Sequence, residues 1–240
     1  ISLGAYLGGG LDFTGLQIGS FFATMGVASL FMPAVMGIIA DRWIPAQKLL
    51  GICHLVSGGF LIAAASQTAY GPLYSCMLLS VMFYMPTIAL SNSVAYNALD
   101  LARLDTVKHF PPIRVWGTVG FIAAMWFVDL THIGGVQIKL TEWQLYVSAV
   151  LSFLLAVYSF SLPGCPVDRN VKARSWVDTL GLRAFTLFKE KRMAIFFVFS
   201  MLLGAALQIT NAFGDSYIQS FGSMPQYADS AIVKHSVILL

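Results

Sequence analysis

Apolar residues in this chain run in long unbroken blocks. No Asp, Glu, Lys or Arg occurs within residues 13–40, 49–99, 115–128, 143–167, 193–214 or 216–228. A membrane-spanning helix needs roughly 20 apolar residues, so most of these blocks predict one span each. The 49–99 block has room for two, divided at Gln67-Thr-Ala-Tyr-Gly-Pro72, where Gly-Pro marks a turn. The 216–228 block is short and holds Gln219, Ser220, Gly222, Ser223 and Gln226, which predicts a loop. The pattern predicts the end of a first helix over 1–10, stopped by Gly8-Gly9-Gly10, then spans over 14–40, 49–66 and 72–99. A fifth begins at Pro111 and ends near Asp129, and others follow over 142–162 and 193–214, with an eighth starting near Ala231.

Composition agrees. Hydrophobic residues make up 58% and charged residues 10%, with a mean hydropathy of +0.76. Soluble domains carry about 25% charged residues, so the fold class is an all-α membrane protein. The sequence begins at Ile1 inside one apolar segment and ends at Leu240 inside another, which reads as part of something longer. Its first ten residues have no basic stretch or cleavage site, so they do not read as a signal peptide. Cys53, Cys76 and Cys165 are too scattered for a disulfide framework or a zinc site.

Charge adds orientation. Of the 14 Lys and Arg residues, all but Lys139 and Lys234 lie in or beside alternate connections, around 41–48, 100–114 and 163–192. The positive-inside rule places those three segments in the cytoplasm and the 67–72 turn outside. Basic cytoplasmic loops account for every Lys/Arg cluster, so nucleic-acid binding has no support. In the 163–192 linker, Trp176, Leu180, Ala184, Leu187 and Phe188 recur at helical spacing, predicting a short amphipathic helix on the membrane surface. The domains expected are an N-terminal bundle over 1–162, this linker, and the start of a second bundle over 193–240.

Several polar residues interrupt the apolar blocks. On the second span Gly15, Gly19 and Ala23 repeat every four residues, spacing that lets another helix approach. His54 lies within the third span, where it either relays protons or bonds to a neighbour. Thr87, Ser91, Asn92, Ser93, Tyr96 and Asn97 give the fourth span a polar half that lines a pathway or joins helices. On the fifth span Arg114, Thr118 and Phe121 fall at i, i+4 and i+7 and share a face. On the seventh, Gln208 and Asn211 share another, and amides this costly to bury unpaired in lipid should face the bundle interior. Near the basic loops, Arg114 could instead snorkel to the interface.

The tract Gly37-Ile-Ile-Ala-Asp41-Arg42, followed by Lys48, resembles the signature loop of the major facilitator superfamily, with Ile44 and Ala46 departing from its pattern. Together with Pro111-Pro-Ile-Arg114-Val-Trp-Gly-Thr118-Val-Gly-Phe121 and Gln208-Ile-Thr-Asn211, the sequence is similar to the bacterial nucleoside–proton symporter family of that superfamily. Phe31-Met-Pro33, Tyr84-Met-Pro-Thr87 and Lys191-Arg-Met-Ala-Ile-Phe-Phe197 support the resemblance across the whole sequence. A faint echo of Gly4-Ala-Tyr6 in Gly214-Asp-Ser-Tyr217 fits a duplicated transporter.

The resemblance implies a major-facilitator-type bundle and nucleoside import by proton symport across a bacterial inner membrane. It implies a substrate site of Arg114, Thr118 and Phe121 from one bundle and Gln208 and Asn211 from the facing one. Ribose hydroxyls and a base edge suit Arg, Thr and amide groups, and a π face suits Phe121. The coupling ion implied is the proton, with no other cofactor, and its carrier is an acidic residue on span eight beyond Leu240. A monomer is expected. A sugar or other small polar solute as cargo, or an inactive truncated product, are the alternatives. An enzyme is not indicated, because no nucleophile–base constellation, metal-ligand spacing or phosphate loop is present.

Overall fold

The computed structural model describes residues 2–167, 182–224 and 230–235. A short helix α1 (Leu3–Ala5) continues as a π-helical turn over Tyr6–Gly10 and stops at the glycines. A Cβ on Gly10 would lie 2.8 Å from the Leu140 carbonyl oxygen, so only glycine fits there. Helix α2 (Gly15–Arg42) starts from a capping box: Thr14 Oγ1 accepts from the Gln17 amide and Gln17 Oε1 accepts from the Thr14 amide. Then follow α3 (Ala46–Ala65), α4 (Tyr70–Leu101), α5 (Thr106–Leu130), α6 (Trp143–Ser159) and α7 (Lys191–Ser220). A 3-10 segment, Leu182–Lys189, precedes α7, and a short helix α8, Ala231–Lys234, follows it.

Five of these helices are long and apolar enough to cross a membrane, and α6 is shorter at 17 residues. The chain therefore alternates between two ends. One end holds the α2–α3 and α4–α5 links and the start of α7 (the basic end); the other holds the α3–α4 and α5–α6 links.

Most predicted boundaries hold within a few residues, and the differences have local causes. Helix α4 begins at Tyr70, so Gly71 and Pro72 lie in its first turn, where a missing proline N–H costs nothing, and not in the loop. Helix α5 begins five residues before Pro111, because Asp105 caps it by accepting from the Val107 amide at 2.9 Å. Both Pro111 and Pro112 thus sit inside the helix and do not start it. Helix α7 passes through Gly214 and continues to Ser220, absorbing part of the predicted loop. The loop after α5 contains a two-residue hairpin, β1 (His132–Ile133) against β2 (Val136–Gln137). Its turn, Gly134-Gly135, has φ of +61° and +83°, the left-handed pair that such tight hairpins require. Of the predicted amphipathic helix, Trp176 and Leu180 lie outside the described residues, and Leu182–Lys189 is 3-10.

Packing centres on α3, which lies between α4 and α6, while α2 packs on α4. Two apolar clusters fill the layers. Tyr6, Leu7, Phe21, Leu73, Met77 and Leu145 occupy the end opposite the basic loops, and Met36, Leu49, Leu50, Cys53, Leu90 and Val94 occupy the basic end. Two glycines of α3 bring it close against α6. A Cβ on Gly51 would lie 3.1 Å from the Ala156 carbonyl oxygen, and one on Gly58 would lie 3.2 Å from Ser152 Cβ. The small-residue stripe on α2 meets no helix among the described residues: none lies within 4 Å of a Cβ at Gly15 or Gly19. Prolines interrupt α2 at Pro33, α4 at Pro86 and α5 at Pro111–Pro112, whereas α3 and α6 contain none.

Candidate substrate site

The Arg114 stripe lies along α5, beside α4. Helix α5 starts at Thr106, so Arg114 is about 12 Å along it by helix rise, more than twice the depth that a start at Pro111 implies. Its Nη1 donates to Asn92 Oδ1 of α4 at 3.2 Å. This contact gives Asn92 a role that the sequence left undivided among the polar residues of α4. Tyr96 and Phe110 close the same α4–α5 seam with ring centroids 4.5 Å apart. Thr118 and Phe121 follow on the same face, both exposed within the described chain.

Not all of the polar half of α4 points into a pathway. Thr87 Oγ1 and Ser91 Oγ return to the Tyr84 and Ile88 carbonyls of their own helix. Asn97 Nδ2 donates to the Gly164 carbonyl at 3.2 Å, fastening the segment after α6 to α4. Gln47, buried near the start of α3, holds the same segment by accepting from the Cys165 amide at 3.0 Å. Burial pushes the Cys165 thiol above its ordinary range, and a hydrogen bond from the Gln47 backbone amide opposes that only in part. The Asp41-Arg42 tract forms the last turn of α2, so the signature loop reduces to the short link from Trp43 to Pro45, which caps α3.

Gln208 and Asn211 lie on α7, which rests beside α2. Gln208 Nε2 points at Met25 Sδ, 3.8 Å away, and Phe213 lies 5.7 Å from Phe22 by ring centroids. Asn211 is half-buried. The Arg114 and Gln208 groups therefore have separate partners, on α4 and α2 respectively, and no described hydrogen bond joins them.

His54 is buried in α3, packs edge-on to Tyr84 with centroids 6.4 Å apart, and its Nδ1 has no partner among the described residues. It borders a cavity of about 410 Å³ that Ser2 and Leu3 also line. Ser57 and Ser80, on the same wall, bond to each other at 2.9 Å.

Two acidic residues follow directly on charge-free blocks, at positions 129 and 215. Asp129 and Asp215 are almost wholly buried. Asp129 pairs with Lys139 at 2.7 Å and with His235 at 2.8 Å, and Asp215 accepts from Gln219 one turn along α7. The signal available was Lys139 itself, the lone basic residue in an otherwise uncharged stretch after Asp129.

Comparison with known proteins then places this arrangement. The family model described as nucleoside H+ symporter matches residues 1–240. The xanthosine permease of Escherichia coli strain K12 is 48% identical over 240 residues, covering all of this chain and 56% of that protein. Nucleoside permease NupG of the same strain is 45% identical over 239 residues, again with 56% of its length covered. Crystal structures of the nucleoside transporter NupG match with TM-scores of 0.86 and 0.82, covering 99% of this chain and 58% and 57% of theirs. The chain thus spans a little over half the length of these relatives.

Proposed function

The chain belongs to the nucleoside H+ symporter family, and from that membership we propose that the full protein imports nucleosides together with protons by alternating access. It is a multi-pass protein of the bacterial inner membrane. The observation that carries the reading is the match of one family model to every residue of the chain. Relatives named for nucleosides and for xanthosine favour this cargo over a sugar. The relatives are permeases and not enzymes.

In this reading α1–α6 form the first bundle, the 163–192 linker is cytoplasmic, and α7 opens the second bundle. Arg114, Thr118 and Phe121 offer a cation, a hydroxyl and a ring to one side of the nucleoside. Gln208 and Asn211 offer amides from α7. Asn92 aims the Arg114 guanidinium by accepting one of its N–H groups, leaving the others for ribose or base oxygens. The proton is the coupling ion and no other cofactor takes part. Its carrier lies beyond Leu240, and the protein works as a monomer.

Uptake of labelled uridine or adenosine by the full-length protein, with and without an uncoupler, tests the proposal. Uptake that the uncoupler abolishes is expected. Uptake of neither nucleoside would refute the cargo, and uncoupler-insensitive uptake would refute the coupling.

A further inference from the structure

At the end opposite the basic loops, one cluster ties the close of α5 to the close of α8, about a hundred residues later. Asp129 Oδ1 accepts from Lys139 Nζ at 2.7 Å, and Asp129 Oδ2 accepts from His235 Nδ1 at 2.8 Å. Lys139 Nζ also donates to the Lys234 carbonyl at 3.0 Å. Gln137 Nε2 donates to the same carbonyl at 3.3 Å and to the Asp129 carbonyl at 3.1 Å. Two consecutive residues, Lys234 and His235, thus receive or supply three hydrogen bonds from three residues of one short stretch.

The two sides of this cluster are built differently. Asp129, Gln137 and Lys139 lie within ten residues of one another. The glycine hairpin holds them, with the Ile138 amide donating to the Thr131 carbonyl at 3.0 Å and Gln144 Nε2 to the Lys139 carbonyl at 2.9 Å. Asp129 and Lys139 are 0% and 2% exposed, so each ion depends on the other. The far side, by contrast, contributes a backbone carbonyl and an imidazole whose side chain is 41% exposed. If the far side leaves, Asp129 keeps Lys139 and no buried charge is stranded.

We propose that this cluster is a latch between the two bundles, with Asp129, Gln137 and Lys139 as its fixed half and Lys234–His235 as its releasing half. The inference rests on the alternating-access reading, in which contacts at one end of the molecule form and break in each cycle. The ion pair stays closed throughout. Of the described bonds, the three to Lys234 and His235 are exchanged for water when the latch opens. A cleft bordered by His132, Leu140, Lys234 and His235 runs beside the contact and admits that water.

The test uses the full-length protein with its native cysteines replaced by serine and a protease site inserted in the 163–192 linker. The pair Gln137→Cys and Lys234→Cys should form a disulfide under mild oxidation, read as two halves that stay joined after cleavage. Uptake should fall at least tenfold and return on reduction. Failure to cross-link, or undiminished uptake by the cross-linked protein, overturns the latch. If the reduced protein crosses no nucleoside although the disulfide forms, the transport reading fails separately. The latch is then judged by a second measurement that needs no substrate. A cysteine at Leu140, beside the cleft, should react with a membrane-impermeant maleimide about fivefold faster when His235→Ala removes one bond. An unchanged rate overturns the latch.

Discussion

Arg114 and Asn92 meet across the α4–α5 seam, with the guanidinium donating to the amide oxygen at 3.2 Å. Two turns inside α5, the cation is thus held by a neutral partner, and no carboxylate pairs with it among the described residues. In the full-length protein Arg114→Ala should abolish nucleoside uptake at normal membrane insertion. Asn92→Ala, which only releases the aim, should cost about fivefold in uptake efficiency, the equivalent of one hydrogen bond. Unaltered kinetics in both would make the pair structural.

The α3–α6 contact should resist any added side chain. Gly51 and Gly58 are spaced seven residues apart on α3 and meet Ala156 and Ser152 of α6. Gly58→Leu forces the helices apart and should cost about 1–3 kcal/mol, seen as a lower melting temperature in detergent. Gly15→Leu or Gly19→Leu on α2 should cost far less in this half of the protein, where their Cβ positions are open.

Removing one ion of the buried pair should be worse than removing both. Lys139→Met leaves the buried Asp129 carboxylate with only the His235 contact and should destabilise by about 3–5 kcal/mol. Adding Asp129→Leu to that variant should recover most of the loss. Thermal unfolding of the two single variants and the double variant measures the coupling. An additive double variant would mean that the pair contributes nothing as a pair.

Cys165 should alkylate slowly at neutral pH. Burial raises its pKa, so the thiolate becomes abundant only above the pH at which an ordinary thiol ionises. Its iodoacetamide rate, followed by mass spectrometry, should therefore climb later with pH than that of a small model thiol. Gln47→Ala should speed the reaction by loosening the segment, because it removes the hydrogen bond to the Cys165 amide.

The spans were legible because lipid demands long charge-free blocks, and α2, α3, α4 and α6 fall close to where those blocks lie. The start of α5 was less so. Two prolines look like a helix start, yet an Asp105 cap six residues before Pro111 outranks them. Small residues spaced by four on α2 drew attention that belonged to glycines spaced by seven on α3. Which stripe is used depends on what faces it, and that is a tertiary property. The Arg114 and Gln208 stripes could be read from periodicity together with family resemblance, but not their partners Asn92 and Met25. Least visible was the Asp129 cluster. Lys139 counts only as an orientation marker in the positive-inside rule, and His235 lies 106 residues from its partner.

The distribution of prolines gives the bundle an uneven stiffness. Pro33, Pro86 and the Pro111–Pro112 pair each deprive a carbonyl one turn earlier of its helical donor, so α2, α4 and α5 contain built-in weak points. Helices α3 and α6 have complete ladders and are clamped together at Gly51 and Gly58. A load on the bundle therefore bends the helices that carry Arg114 and Asn92 while the α3–α6 pair keeps its shape, like a spring mounted on a rigid spine.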